Sequence, residues 1–158
     1  MYYTHIAFGL LLSLLYMEYF TVENKIVFIL VTVLFSIFPD MDYPKSKIGR
    51  KQKMLSFLLN FLFGHRGVIH SIWIPVLLFS VLLLLKINII VGIAVLIGYL
   101  SHLFLDMLTN EGIRPFYPLY GRRLKGFIRT NSFLEIIIFL AIASLDFYVG
   151  VLWKGEWV

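Results

Sequence analysis

The chain has 158 residues, 60% of them hydrophobic and 15% charged, no cysteine, and a formal net charge of +5; an ordinary soluble domain is about 45–50% apolar and about 25% charged. A chain this short buries only about 70% of the surface of its unfolded form, so a mean hydropathy of +0.89 excludes a soluble globule, a disordered chain and a collagen-like fibre. What remains is an integral membrane protein, without a disulfide framework, a thiolate metal site or a cysteine nucleophile.

In chain order the apolar runs predict a single all-α integral membrane domain over residues 1–158, a polytopic transmembrane helix bundle. About five spans are expected, at residues 5–20, 26–38, 69–85, 89–105 and 133–152. The first residues carry neither a basic head nor a small-residue cleavage pattern, so no removable signal peptide is expected. The second run should stop at Pro39, which continues a helix poorly. Residues 55–63 are too short to cross and read as an interfacial or re-entrant helix, or as a linker helix packed on the bundle.

Five alternating spans put the amino terminus, residues 39–66 and residues 107–132 on one face. That face carries eleven of the fourteen basic residues: Lys45, Lys47, Arg50, Lys51, Lys53, Arg66, Arg114, Arg122, Arg123, Lys125 and Arg129. Lys25, Lys86 and Lys154 fall opposite. The positive-inside rule makes the basic face cytoplasmic, with the amino terminus inside and the carboxyl terminus outside.

The same face collects the polar chemistry. His5, Asp40, Asp42, His65, His70, His102 and Asp106 all lie at or beside its span ends. Ionisable groups at membrane depth are costly and usually line an interior or a cavity, so seven potential ligands in one layer point to a metal site. His102 and Asp106 are four apart on one helical face. Asp40 and Asp42 flank Met41 in a turn-like segment, where they either bracket a metal or cap a helix stop. His65 and His70 do not share a helical face, but a turn at Gly67 folds one toward the other if the third span starts near Val68. Arg66 then either offers its planar fork to an anionic oxygen or sits among lipid headgroups. Glu111 is a candidate general base; its alternative, with Thr109 and Asn110, is to end the fourth helix before Gly112. Four imidazoles and three carboxylates exceed the about three or four protein ligands of one catalytic zinc. One or two divalent transition ions are therefore expected, zinc or manganese foremost, because magnesium and calcium prefer oxygen alone. Asp146 lies within the last span, away from this layer.

The ordered blocks Thr4-His5, Phe38-Pro39-Asp40-Met41-Asp42, Gly64-His65-Arg66-Gly67-Val68-Ile69-His70-Ser71 and Gly98-Tyr99-Leu100-Ser101-His102-Leu103-Phe104-Leu105-Asp106-Met107-Leu108-Thr109, then Gly112 and Pro118, extend over residues 4 to about 123. Together they resemble the membrane-bound metal-dependent hydrolase family of the YdjM type. The resemblance implies a small multi-span inner-membrane protein with a hydrolytic metal centre at these His and Asp positions; it supplies no substrate.

A cationic face around a metal layer at headgroup depth favours an anionic, lipid-like substrate, foremost a lipid-linked phosphoester, with a lipid ester or amide as the alternative. Membrane lipids are the expected partners, and no nucleic acid is expected. A metal-ion carrier or sensor would use the same ligands for binding alone, but polar groups near the bilayer midplane are scarce. A scaffold on anionic lipid would explain the charge and leave the ligands idle.

Overall fold

The computed structural model describes residues 1–42 and 67–152. The expected helix at residues 55–63, His65 and Arg66 lie outside the described residues, as does the side chain of Asp42. Five α-helices follow in order among the described residues: α1 Tyr2–Tyr19, α2 Lys25–Ile37, α3 Trp73–Leu84, α4 Ile89–Met107 and α5 Phe133–Leu152. Among the described residues there is no β-strand. Two helices among the described residues, Ile89–Met107 and Phe133–Val151, are long and apolar enough to cross a membrane, and Trp73–Leu84 is a shorter apolar helix.

Asparagines open two of the helices. The side chain of Asn24 accepts from Val27 N at 3.0 Å and that of Asn88 from Ile90 N at 2.9 Å, each satisfying an amide that has no partner within its helix. Ser132 and Glu135 stand at the start of α5 in the spacing of a capping box. Glu135 N donates to Ser132 Oγ at 3.3 Å, while the Glu135 carboxylate accepts from Asn131 N at 2.6 Å. The same carboxylate takes the Thr4 hydroxyl at 3.1 Å and lies 3.0 Å from the Met1 amino group, so the first turns of α5 and α1 are tied together.

Helix α4 is central, packing against α2 most extensively and also against α1 and α3, whereas α5 packs on α1. Small residues allow the close approaches. A Cβ on Gly98 of α4 would lie 2.2 Å from the Thr32 carbonyl of α2, and one on Gly9 of α1 would lie 2.7 Å from Ser36 Cβ. A lower core of Leu14, Met17, Val22, Phe28 and Ala94 fills the bundle. Tyr99, Leu103 and Ile113 fill the end that carries the polar layer.

One boundary matches expectation and one differs. Helix α2 ends at Ile37, directly before Pro39, and the chain continues into a separate 3₁₀ turn, Phe38–Asp42, whose early position tolerates the missing proline N–H. The third helix starts at Trp73, not near Val68. Residues Val68–His70 form a separate 3₁₀ turn that ends at an extended Ser71, so His70 precedes the helix instead of riding on its first turn. The Ile72 amide donates to the Pro115 carbonyl at 2.8 Å, giving this break a partner from the loop beyond α4.

That loop, residues 108–132, is folded back on itself. Ile113 and Leu124 exchange hydrogen bonds of 3.0 and 2.8 Å, and Gly126 N donates to Thr109 O at 3.0 Å. Gly112 has φ +62°, and a Cβ there would meet the Leu124 carbonyl at 2.1 Å, so both backbone conformation and space call for glycine.

Candidate metal centre

Four elements converge at one end of the bundle. His5 comes from the first turn of α1, Asp40 from the 3₁₀ turn after α2, His70 from the 3₁₀ turn before α3, and His102 and Asp106 from consecutive turns of α4. His5, His70, His102 and Asp106 are all at most 2% exposed. A buried carboxylate among buried imidazoles is expensive unless charges or a cation compensate it.

The distances are specific. Nε2 of His5 lies 3.5 Å from Asp106 Oδ1, and Nε2 of His70 and of His102 lie 3.5 and 3.7 Å from Asp106 Oδ2. The two Nε2 atoms of His70 and His102 are 3.3 Å apart. N–H···O hydrogen bonds centre on about 2.9–3.0 Å, so the contacts to the carboxylate are long for direct bonds. Donor atoms bound at about 2.0–2.2 Å to one tetrahedral ion stand about 3.3–3.6 Å apart. The triangle of His70, His102 and Asp106 Oδ2 has nearly those edges. His5, His102 and Asp106 form one group of donor atoms all within 4.8 Å of one another, and Asp40, His70 and His102 form another.

Orientation of the His102 ring comes from α2. Its Nδ1 is 2.8 Å from the Ser36 carbonyl, so Nδ1–H donates there and the Nε2 lone pair is left facing His70 and Asp106. Pro39, three residues after Ser36, has no N–H to offer that carbonyl. His5 stacks on His102 with centroids 4.1 Å apart and planes at 18°, which fixes the first imidazole against the third. Tyr99, one turn before His102, donates its hydroxyl to the Ile69 carbonyl at 2.8 Å and holds the His70 turn against α4.

The structure thus brings together His5, Asp40, His70, His102 and Asp106. Asp42 ends the turn that carries Asp40. Glu111 is exposed and belongs to neither donor group; its carbonyl accepts from Arg123 Nη1 at 3.2 Å. Thr109 terminates α4, donating to the Asp106 carbonyl at 2.7 Å and accepting from Gly112 N at 3.1 Å. Sequence reasoning misses the Ser36 carbonyl, since a backbone oxygen carries no side-chain signal. It also misses Glu135, although the Ser132-x-x-Glu135 spacing is a legible cap signature.

The family model described as YdjM inner membrane protein matches residues 1–157. The chain is 33% identical over 124 residues to the Bacillus subtilis (strain 168) protein named "Uncharacterized protein YvsG", covering 77% of each chain. It is also 33% identical over 98 residues to the inner membrane protein YdjM of Escherichia coli (strain K12) and to that of Shigella flexneri, a match covering 57% of this chain and 48% of each relative. The match therefore spans about half the length of those two relatives. No solved structure matches. With the family model running over essentially its whole length, the chain belongs to the YdjM family of inner membrane proteins.

Proposed function

We propose that the protein is a membrane-embedded, metal-dependent hydrolase whose His/Asp centre faces the cytoplasmic leaflet and acts on a lipid-linked phosphoester. The observation that carries this is the convergence of three imidazole Nε2 atoms on the two oxygens of Asp106 at 3.5–3.7 Å, near the edge length of a metal coordination shell. His70, His102 and Asp106 Oδ2, with Asp40, are the donors for one divalent transition ion, zinc or manganese. Asp106 Oδ1 and His5 begin the shell of a second. Such an ion supplies a water activated near neutral pH and neutralises charge developing on a phosphoryl oxygen.

The chain's own residues do the rest. The Ser36 carbonyl keeps Nδ1 of His102 protonated and its Nε2 available. The buried walls exclude bulk water and so strengthen every charge interaction inside. Arg66, between two histidines in the sequence, is assigned to meet developing negative charge with its planar fork. All five helices are taken as spans, α2 and α3 short ones, which puts the amino terminus and the basic loops in the cytoplasm.

The test is elemental analysis of purified protein, coupled to a screen of lipid phosphates, esters and amides. Wild type should hold about one or two transition ions per chain. Asp40→Ala, His70→Ala and His102→Ala should each lose metal while still inserting. Full metal content in all three variants overturns the centre. A metal-replete wild type that hydrolyses none of these lipids returns the protein to the carrier or sensor reading.

A further inference from the structure

The loop that follows α4 carries a cation that no role has yet absorbed. Arg114 is half-buried, and its Nε is buried without a hydrogen-bond partner among the described residues. Nor does any described carboxylate stand within ion-pair distance of it. Leaving a guanidinium N–H buried without an acceptor costs free energy that a structural arginine normally avoids.

Both neighbours of Arg114 are fixed against elements that carry the centre. Ile113 is buried on Tyr99 and Leu103, the latter adjacent to His102, and is locked to Leu124 by the paired hydrogen bonds of the folded loop. Pro115 accepts the amide of Ile72, two residues beyond His70. The backbone at Arg114 is therefore pinned on one side to α4, which carries His102 and Asp106, and on the other to the segment just after His70. Its guanidinium carbon lies 6.0 Å from the centroid of the Tyr117 ring, which restricts the side chain further. A restrained guanidinium with an unused donor suits a two-pronged contact to a phosphate oxygen.

We infer that Arg114 is an anion-binding residue at the mouth of the His/Asp centre, and that its ligand is the phosphate group of the substrate. This deepens the hydrolase reading, on which it rests for the reaction that the bound phosphate enters. Phosphate chemistry is common to a lipid headgroup and a soluble phosphomonoester, so the test separates the two.

Inorganic phosphate is titrated calorimetrically into the full chain in phosphatidylcholine nanodiscs, and metal content is measured on the same preparation. Arg114→Gln should weaken phosphate binding about 10-fold or more, the loss of a charge-assisted contact, with metal content unchanged. Arg129→Gln, exposed in the same loop, should stay within about twofold of wild type. Arg114→Lys keeps the charge without the fork and should bind several-fold more weakly than wild type. Equal affinity in wild type and Arg114→Gln overturns the assignment; should that variant not fold, equal affinity in Arg114→Lys does so. An equal loss in Arg129→Gln also overturns it, because diffuse loop charge would then be responsible. Absent metal in wild type defeats the hydrolase reading separately, and the phosphate titration still decides Arg114. Displacement of phosphate by phosphatidate in the nanodisc assigns a headgroup, displacement by soluble glycerol phosphate assigns a free phosphomonoester, and displacement by neither overturns the proposal.

Discussion

At the carboxyl end of α2 one carbonyl has two possible partners. A regular 3₁₀ continuation would give Ser36 O the amide three residues on, but that residue is Pro39, and the oxygen holds His102 Nδ1 at 2.8 Å instead. Pro39→Ala restores a competing N–H. We expect it to leave the helices in place and to weaken metal binding about 10-fold or more, the usual cost of losing an orienting contact behind a ligand histidine. Competition with a chelator of known affinity measures this, and unaltered metal affinity would show that the imidazole needs no orientation from α2. The His102 and Asp106 pair is readable without a structure because a spacing of four places both on one helical face whatever packs around them. His70 is not readable in the same way, since its position depends on a 3₁₀ turn stabilised by a carbonyl 45 residues later, at Pro115.

Helices α1, α2 and α4 meet through small residues, so the geometry of the His/Asp cluster depends on how closely their backbones approach. Gly98 is the tightest point, with the Thr32 carbonyl where its Cβ would be, one turn before His102 and one turn before Ser36. Gly98→Val should push α2 from α4, destabilise the protein by about 1–3 kcal/mol and weaken metal binding by drawing Ser36 O from His102. Gly150→Val in α5, where a Cβ meets nothing within 4 Å, is the matched control. Thermal unfolding in detergent together with metal content checks both, and equal stability of the two variants would contradict a tight α2–α4 contact. Apolar runs reveal the existence and order of all five helices, because mean composition suffices to find them. Some ends are legible as well, the last helix at 133–152 and the start of α4 at Ile89, but the break before α3 is not: the turn at His70 is held by the Ile72 bond to Pro115 and not by hydrophobic periodicity. Lengths of 13 and 12 residues for α2 and α3 reach only about 20 and 18 Å at about 1.5 Å per residue. As spans they would place both flanking 3₁₀ turns below the headgroups, at the depth where His70 and Asp40 are expected.

For the whole molecule the charge imbalance makes a topological prediction that the absence of cysteine allows to be tested cleanly. A single cysteine at Lys47 should be shielded from an impermeant thiol reagent outside intact cells, and one at Lys154 should be labelled. The opposite pattern inverts the topology and moves the proposed metal centre to the outer leaflet. Helix α5 gives the molecule an exposed apolar flank: Phe133 and Phe147 are 77% and 74% exposed, and among the described helices it packs chiefly on α1. The site is therefore a property of the first four helices, with α5 acting on it through α1 and the Thr4–Glu135 bond.

Thr4 and His5 stand at the beginning of the chain, whereas the residues they touch are Glu135 and Asp106. Synthesis from the amino end makes His5 about a hundred residues before the carboxylate it faces, and a buried imidazole without polar company is costly. During that interval α1 can pack on α2, where Gly9 meets Ser36, but its first turn lacks His102, Asp106 and Glu135. The surroundings of the His5 turn are thus complete only once α4 and the start of α5 have been made, although α1 itself precedes both in the chain.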